Sequence, residues 1–201
     1  MKEVIFVPFF LHLITFSSQT TSITKKSHTF ATELYHWLMK KIFAAASIGG
    51  HWKQLLRIAQ PLEERYEVVY ASTHPKCAEM IENSRSSHST GGGNFYLIPD
   101  FSRKDAWRLV PAFFRLLRVL WKEHPDAVLT TGAAPGLICL FAAWMLHYKT
   151  IWVDSTANAV HLSASGRIAR RFASRVYTQW PDLAQHGVCY AGSVWSIMNK
   201  Q

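Results

Sequence analysis

Apolar residues along this chain alternate between two rhythms. Residues 42–47 (IFAAAS) form a short uninterrupted apolar run, as a strand buried on both faces requires. Gly49 and Gly50 follow, and then HWKQLLRIAQPLEER carries Leu55, Leu56, Ile58, Ala59 and Leu62 at helical spacing. The pattern predicts strand, glycine turn, helix, and it recurs. Residues 67–72 (EVVYAS) predict a second strand, 75–83 a short helix, and the Ser- and Gly-rich 84–93 a loop. Residues 95–99 predict a third strand and 103–122 a long helix. Residues 126–131 (DAVLTT) predict a fourth strand, which breaks at Gly132, Pro135 and Gly136 before an apolar helix over 137–146. A fifth strand is expected at 150–154 and a sixth at 175–179, with a basic helix around 166–174 between them. Short apolar strands alternating with helices predict a parallel sheet covered on both faces, a Rossmann-like doubly wound α/β domain.

Ahead of this domain, residues 4–16 (VIFVPFFLHLITF) are apolar but contain Pro8 and His12 and fall short of the roughly 20 residues that span a bilayer. The run can be read as a weak anchor lying on a membrane or as the apolar core of a signal peptide. It can also belong to an extension over 1–38 that precedes an alternative start at Met39, leaving 39–201 as the domain. The full 201 residues suit one domain. With 49% apolar and 17% charged residues, disorder, collagen and coiled coil are excluded. Lys and Arg number 22 against 13 Asp and Glu, giving +9. That balance calls for a partner carrying negative charge: nucleic acid, anionic lipid or a phosphorylated substrate. Cys77, Cys139 and Cys189 form no paired motif, which speaks against a metal knuckle or a disulfide framework and fits a reducing compartment.

In a doubly wound sheet ligands sit beyond the carboxyl ends of the strands. After the first strand come Ser47, Ile48, Gly49, Gly50 and His51. The glycines let backbone approach a ligand, and the following helix directs its free N–H groups there. Imidazole suits proton transfer near neutral pH, so His51 is a candidate base or phosphate donor, with a plain strand-to-helix turn as the alternative. At the fourth strand's end, Thr130, Thr131, Gly132, Ala133, Ala134, Pro135 and Gly136 make a second turn of small residues, with Pro135 suited to a first helical position and a purely structural turn as the alternative. The fifth strand ends in Asp154, which can bind a hydroxyl, act as base, orient His51 or cap the next helix. The sixth stops at Trp180 and Pro181 with Gln179 just inside.

The helix over 103–122 is both basic and aromatic. Arg103, Lys104, Arg108, Arg115, Arg118 and Lys122 alternate with Trp107, Leu109, Phe113, Phe114, Leu117 and Trp121, against the single acid Asp105. Such a helix can seat itself among anionic headgroups, although part of its apolar face must cover the sheet. A second cluster, Arg167, Arg170, Arg171 and Arg175, adds to the case for phosphate-bearing partners. No aromatic strand platform, KH turn or zinc spacing supports RNA, so no nucleic acid is expected.

The segments SIGGHWKQLLRI, HPDAVLTTGAAPG and above all RFASRVYTQWPDLA together resemble the membrane-associated subunit of two-component glycosyltransferases that extend lipid-diphosphate sugars. The resemblance runs from about residue 39 to 195. It implies the N-terminal, acceptor-binding half of a GT-B fold, similar to that half of the peptidoglycan lipid II N-acetylglucosamine transferase. A small nucleotide-sugar-binding partner subunit would supply the other half. The implied reaction is inverting transfer from a UDP-sugar, a substrate rather than a cofactor, to a polyprenyl-diphosphate-linked saccharide at the cytoplasmic face of a membrane. Absence of an Asp-x-Asp pair supports metal independence. On this resemblance His51 is the first candidate for base and Asp154 the second. Ser47, Gly49, Gly50, Gly132, Ala133, Gly136 and Gln179 would bind substrate. Arg103, Lys104, Trp107, Arg108, Phe114, Arg115, Arg118 and Trp121 would contact the anionic membrane surface. The competing reading is a non-catalytic basic α/β module that binds anionic lipid or RNA.

Overall fold

The computed structural model describes residues 40–84, 94–99 and 109–194. Seven strands form one sheet: β1 Lys41–Ala46, β2 Glu67–Ser72, β3 Phe95–Leu97, β4 Ala127–Thr130, β5 Lys149–Val153, β6 Arg175–Thr178 and β7 Val188–Tyr190. Their order across the sheet is β3-β2-β1-β4-β5-β6-β7, and every neighbouring pair is parallel. Among the described residues, five α-helices cover it: α1 Gly50–Ala59, α2 Lys76–Ser84, α3 Leu109–Glu123, α4 Ala133–Met145 and α5 Ala164–Ala169.

Strand alternation sends successive residues of β1 to opposite faces. Ile42, Ala44 and Ala46 join a core with Trp52, Leu55 and Ala59 of α1 and with Cys77 and Ile81 of α2. Phe43 and Ala45 join the other core with Leu116 and Leu120 of α3 and with Cys139 and Leu140 of α4. The helices leaving β1 and β4, which are neighbours, therefore run down opposite faces. Between the carboxyl ends of those two strands lies the switch point, where an open α/β sheet has its crevice.

Three elements differ from the sequence-based expectation. Helix α4 begins at Ala133, not at 137, because Pro135 sits in the first turn, where an N–H has no helical partner to lose. The basic helix is only Ala164–Ala169, since Ser163 caps its start by accepting from Gly166 N and the chain must then turn to enter β6. Strand β7 was not expected: three residues beside a glycine carry too little alternation to register. The extension over 1–38, most of the loop at 84–93 and the membrane-contact candidates Arg103, Lys104, Trp107 and Arg108 lie outside the described residues.

Candidate functional site at the β1–β4 crevice

Gly49 and Gly132 stand at equivalent places, each the residue before the helix that follows its strand. Their φ angles are +100° and +132°, in the region that favours glycine. Neither helix has a side-chain cap, so the first-turn N–H groups of α1 and α4 are left to water or ligand. Ala133 also has a positive φ, 62°, a conformation that strains a residue bearing a Cβ.

His51 joins the two turns. Its Nδ1 lies 2.9 Å from the carbonyl oxygen of Thr131, and Thr131 Oγ1 donates back to the His51 carbonyl at 2.7 Å. The ring rests on Gly132: a Cβ built there would be 2.6 Å from His51 Cε1 and 2.7 Å from Nδ1. From sequence Thr131 is only a member of the second turn, with no role of its own. A threonine at a strand end is commonplace, and only the pairing of β1 with β4 brings it to His51. Gly49 and Gly50 have open space where a Cβ would point, so this rim of the crevice is accessible. Ser47 is half-buried at its base, and the next residue's N–H donates to Thr73 Oγ1 at 3.3 Å.

Other expected site residues make contacts that hold the fold. Gly136 faces the sheet, where a Cβ would stand 2.1 Å from Thr130 Oγ1; its absence of a side chain lets α4 pack on β4. Asp154 is 1% exposed. Oδ2 accepts from Ser163 N at 2.8 Å, and Oδ1 accepts from Ser163 Oγ at 2.6 Å and from Trp152 Nε1 at 3.2 Å. Asp154 thus holds Ser163, which caps α5. Its carbonyl accepts from Gln54 Nε2 at 3.1 Å, tying α1 to the end of β5. Gln54 is a buried polar residue on the apolar stripe of α1, and a polar residue in such a stripe is the sequence signal of a buried hydrogen bond. Gln179 is also buried, and its Oε1 accepts from Val194 N at 2.8 Å, which fastens the segment after β7. Among the described residues, no group of three or more His, Cys, Asp or Glu side chains is arranged to hold a metal ion.

The described part of the basic aromatic helix buries Ala112, Leu116 and Leu120 against the sheet and turns Phe114 (63% exposed) and Trp121 (67% exposed) outward. Arg115, Arg118 and Lys122 are exposed beside them. Phe114, Leu117, Arg118, Trp121, Lys122 and Leu146 line an open groove of about 820 Å³. Ring contacts continue the surface from Phe113 to Phe141 at 5.9 Å, from Phe141 to Trp144 at 5.5 Å, and from Trp144 to Phe172 at 5.8 Å. Arg167, Arg170 and Arg171 are exposed on and just after α5, next along the chain to Phe172. No helix of the described residues is long and apolar enough to cross a membrane.

The fold is that of solved GT-B proteins. Acinetobacter baumannii MurG superposes with a TM-score of 0.62 at 18% identity, covering 75% of this chain and 45% of that one. Rickettsia bellii UDP-N-acetylglucosamine 2-epimerase gives 0.57 at 14% identity, covering 81% and 47%. In sequence, the chain is 30% identical over 156 residues to the UDP-N-acetylglucosamine transferase subunit alg14 of Schizosaccharomyces pombe, 68% of this chain and 73% of the relative. It is 27% identical over 150 residues to a UDP-N-acetylglucosamine–N-acetylmuramyl-(pentapeptide) pyrophosphoryl-undecaprenol N-acetylglucosamine transferase of Synechococcus elongatus, spanning 72% of this chain and only 40% of that transferase. Residues 42–194 match the family described as oligosaccharide biosynthesis protein Alg14 like, and with nearly the whole described domain inside that match, the chain belongs to the Alg14-like family.

Proposed function

We propose that this protein is the acceptor-binding subunit of an inverting glycosyltransferase, completed by a second polypeptide that holds a UDP-sugar. The carrying observation is that His51 joins the two glycine turns at the switch point. This is a half-crevice with two uncapped helix N-termini and a proton acceptor at its centre, suited to a diphosphate beside a reacting hydroxyl. The names of the relatives point to N-acetylglucosamine as the transferred sugar. Coverage of less than half the MurG chain fits a protein that supplies one side of the cleft.

The acceptor is a saccharide on a polyprenyl diphosphate. His51 takes the proton of its attacking hydroxyl as the new bond forms to the anomeric carbon of the UDP-sugar. The anomeric carbon–phosphate oxygen bond breaks, its electron pair leaves with UDP, and the carbon inverts. Charge on the leaving diphosphate is met by helix N-termini and basic side chains, without a metal ion. Asp154 supports the site through its carbonyl, which accepts from Gln54 Nε2 of α1. The aromatic and cationic surface of α3, α4 and α5 keeps the domain at the lipid where the acceptor resides.

Reconstitution tests this. The full chain alone should give no transfer, and the chain with a nucleotide-sugar-binding partner should move N-acetylglucosamine from UDP to a polyprenyl-diphosphate acceptor. His51→Ala in that complex should lower kcat by about 10² or more. Full-rate transfer to a water-soluble acceptor by the lone chain would overturn the split-enzyme reading. Undiminished turnover by His51→Ala would remove His51 from the chemistry.

A further inference from the structure

We infer that Thr131 is a positioning residue that fixes the tautomer of His51 and leaves Nε2 as the nitrogen that accepts the acceptor's proton. The inference rests on the transferase reading only for its chemical consequence; the tautomer itself is a property of the folded chain.

Two bonds run between the same two residues in opposite directions. The Thr131 carbonyl, 2.9 Å from His51 Nδ1, can only accept, so the neutral ring must carry its proton on Nδ1. Its lone pair then resides on Nε2. The reverse bond, from Thr131 Oγ1 to the His51 carbonyl at 2.7 Å, ties the first turn of α1 to the end of β4 and so keeps the backbone that carries the ring beside Thr131. Gly132 completes the seat. Measured from the point a Cβ would occupy there, Cε1 and Nδ1 lie at 2.6 and 2.7 Å, while Nε2 is farther, at 3.5 Å. The ring therefore presses its Nδ1 edge on the β4 turn. No described residue is hydrogen-bonded to Nε2. A base oriented through one nitrogen and free at the other is what proton abstraction requires. When Nε2 takes the hydroxyl proton, the ring keeps its Nδ1–H on the same carbonyl, so proton uptake needs no rearrangement.

Thr131 is fully buried, which makes it a stringent place for a near-isosteric change. Thr131→Val keeps the shape and the backbone carbonyl but deletes the hydroxyl that ties the His51 backbone to the end of β4, which frees the ring to drift from that carbonyl, and Thr131→Ser restores a hydroxyl.

The decisive measurement is a two-bond ¹H–¹⁵N correlation on the full chain labelled at histidine, at mildly alkaline pH, with the His51 signals assigned by their loss in His51→Gln. A pyrrole-type Nδ1 and a pyridine-type Nε2 are expected in the wild type. Nε2–H as the dominant form would overturn the inference, whatever the activity. In Thr131→Val the two tautomers should mix, and in the reconstituted transferase kcat should fall about tenfold with KM changed less than about twofold, both recovering in Thr131→Ser. A Val variant with an unmixed tautomer and wild-type kcat would dismiss Thr131 as a positioning residue. The expected tautomer in a complex that transfers no sugar would count instead against the proposed function, so the two failures are separable.

Discussion

Gly132 and Gly136 lie one turn apart in sequence and look alike there, yet a methyl group added to each meets a different neighbour. At Gly132 it would collide with the His51 ring at 2.6 Å, on a backbone whose φ of +132° already excludes other residues at a cost of about 1–3 kcal/mol. At Gly136 it would meet Thr130 Oγ1 at 2.1 Å, inside the contact between α4 and β4. Overpacking there costs about 1–3 kcal/mol, and the better helix propensity of alanine returns about 1 kcal/mol. Gly136→Ala should therefore lower the melting temperature by a few degrees and leave kcat per folded molecule nearly intact. In Gly132→Ala the displaced imidazole should lower kcat by about 10², more than its loss of stability explains. Parallel thermal melts and transferase kinetics on the two variants check this contrast, and equal kcat losses would contradict it.

At the scale of elements, the amino-terminal edge of the sheet is fastened by charge. Lys41, the first residue of β1, places Nζ 3.0 Å from Glu67 of β2 and 3.0 Å from Glu123, the last residue of α3. Glu123 also accepts from Tyr96 Oη of β3 and from Asn94 Nδ2. Burial works to raise the Glu123 carboxyl, but hydrogen bonds from Tyr96 and Lys41, with the Lys41 charge, outweigh it and hold it below its ordinary value. A carboxyl depressed by folding stabilises the fold above its unfolded pKa, and that contribution is lost as pH falls through the folded value. Burial, and after it the bond to Glu123, pushes the Tyr96 phenol up to about 12. Its contribution is complete below the ordinary tyrosine value and is lost as pH rises toward 12. Denaturant midpoints followed against pH should fall at both extremes. Glu123→Gln should be less stable at neutral pH and should flatten the acid limb below about 4.5, the ordinary carboxyl value; an unchanged acid limb would show that other carboxyls govern it.

This clamp also marks what the sequence could and could not reveal. Runs such as IFAAAS and EVVYAS are apolar on both faces because both faces of the sheet are covered, so β1, β2 and the parallel architecture were legible from local pattern. The two glycine turns were legible because a strand followed by glycine and a helix is local too. What escaped depends on partners distant in the chain. Asp154 directly follows β5, one residue beyond the strand's observed end, and its carboxylate is taken up by Ser163, nine residues on, and the indole of Trp152. Thr131 acquires its meaning from His51, eighty residues earlier, and Gln179 from Val194. Gly136 reads as part of a ligand turn until α4 is seen to start at Ala133, which moves that glycine onto the helix face packed against β4.

For the whole molecule, the disposition of aromatic and cationic side chains bears on the proposed attachment to a bilayer. One face of the sheet carries α3, α4 and α5, and their outer surface exposes Phe114, Trp121, Trp144, Met145 and Ile168 among Arg115, Arg118, Lys122, Arg167, Arg170 and Arg171. Isolated exposed apolar residues need no explanation, but a run of touching rings flanked by arginines does. Each cation near an anionic surface contributes about 1 kcal/mol, and that share weakens with salt. The aromatic share does not: about 150–250 Å² per ring, half inserted, at about 25 cal/mol per Å² gives about 2–3 kcal/mol per ring. Flotation of the full chain with phosphatidylserine-containing vesicles should therefore show strong binding at low salt and residual binding at high salt. Arg118→Gln with Lys122→Gln should remove mainly the salt-sensitive part. Phe114→Ala with Trp121→Ala should weaken binding at least tenfold at any salt without changing the melting temperature, since both rings are exposed in the free domain. Transferase activity toward a lipid acceptor should fall with that binding, while activity toward a short-chain, detergent-soluble acceptor should persist, because only the former must be met at the membrane. Vesicle binding unchanged in all four substitutions would move the attachment surface off α3.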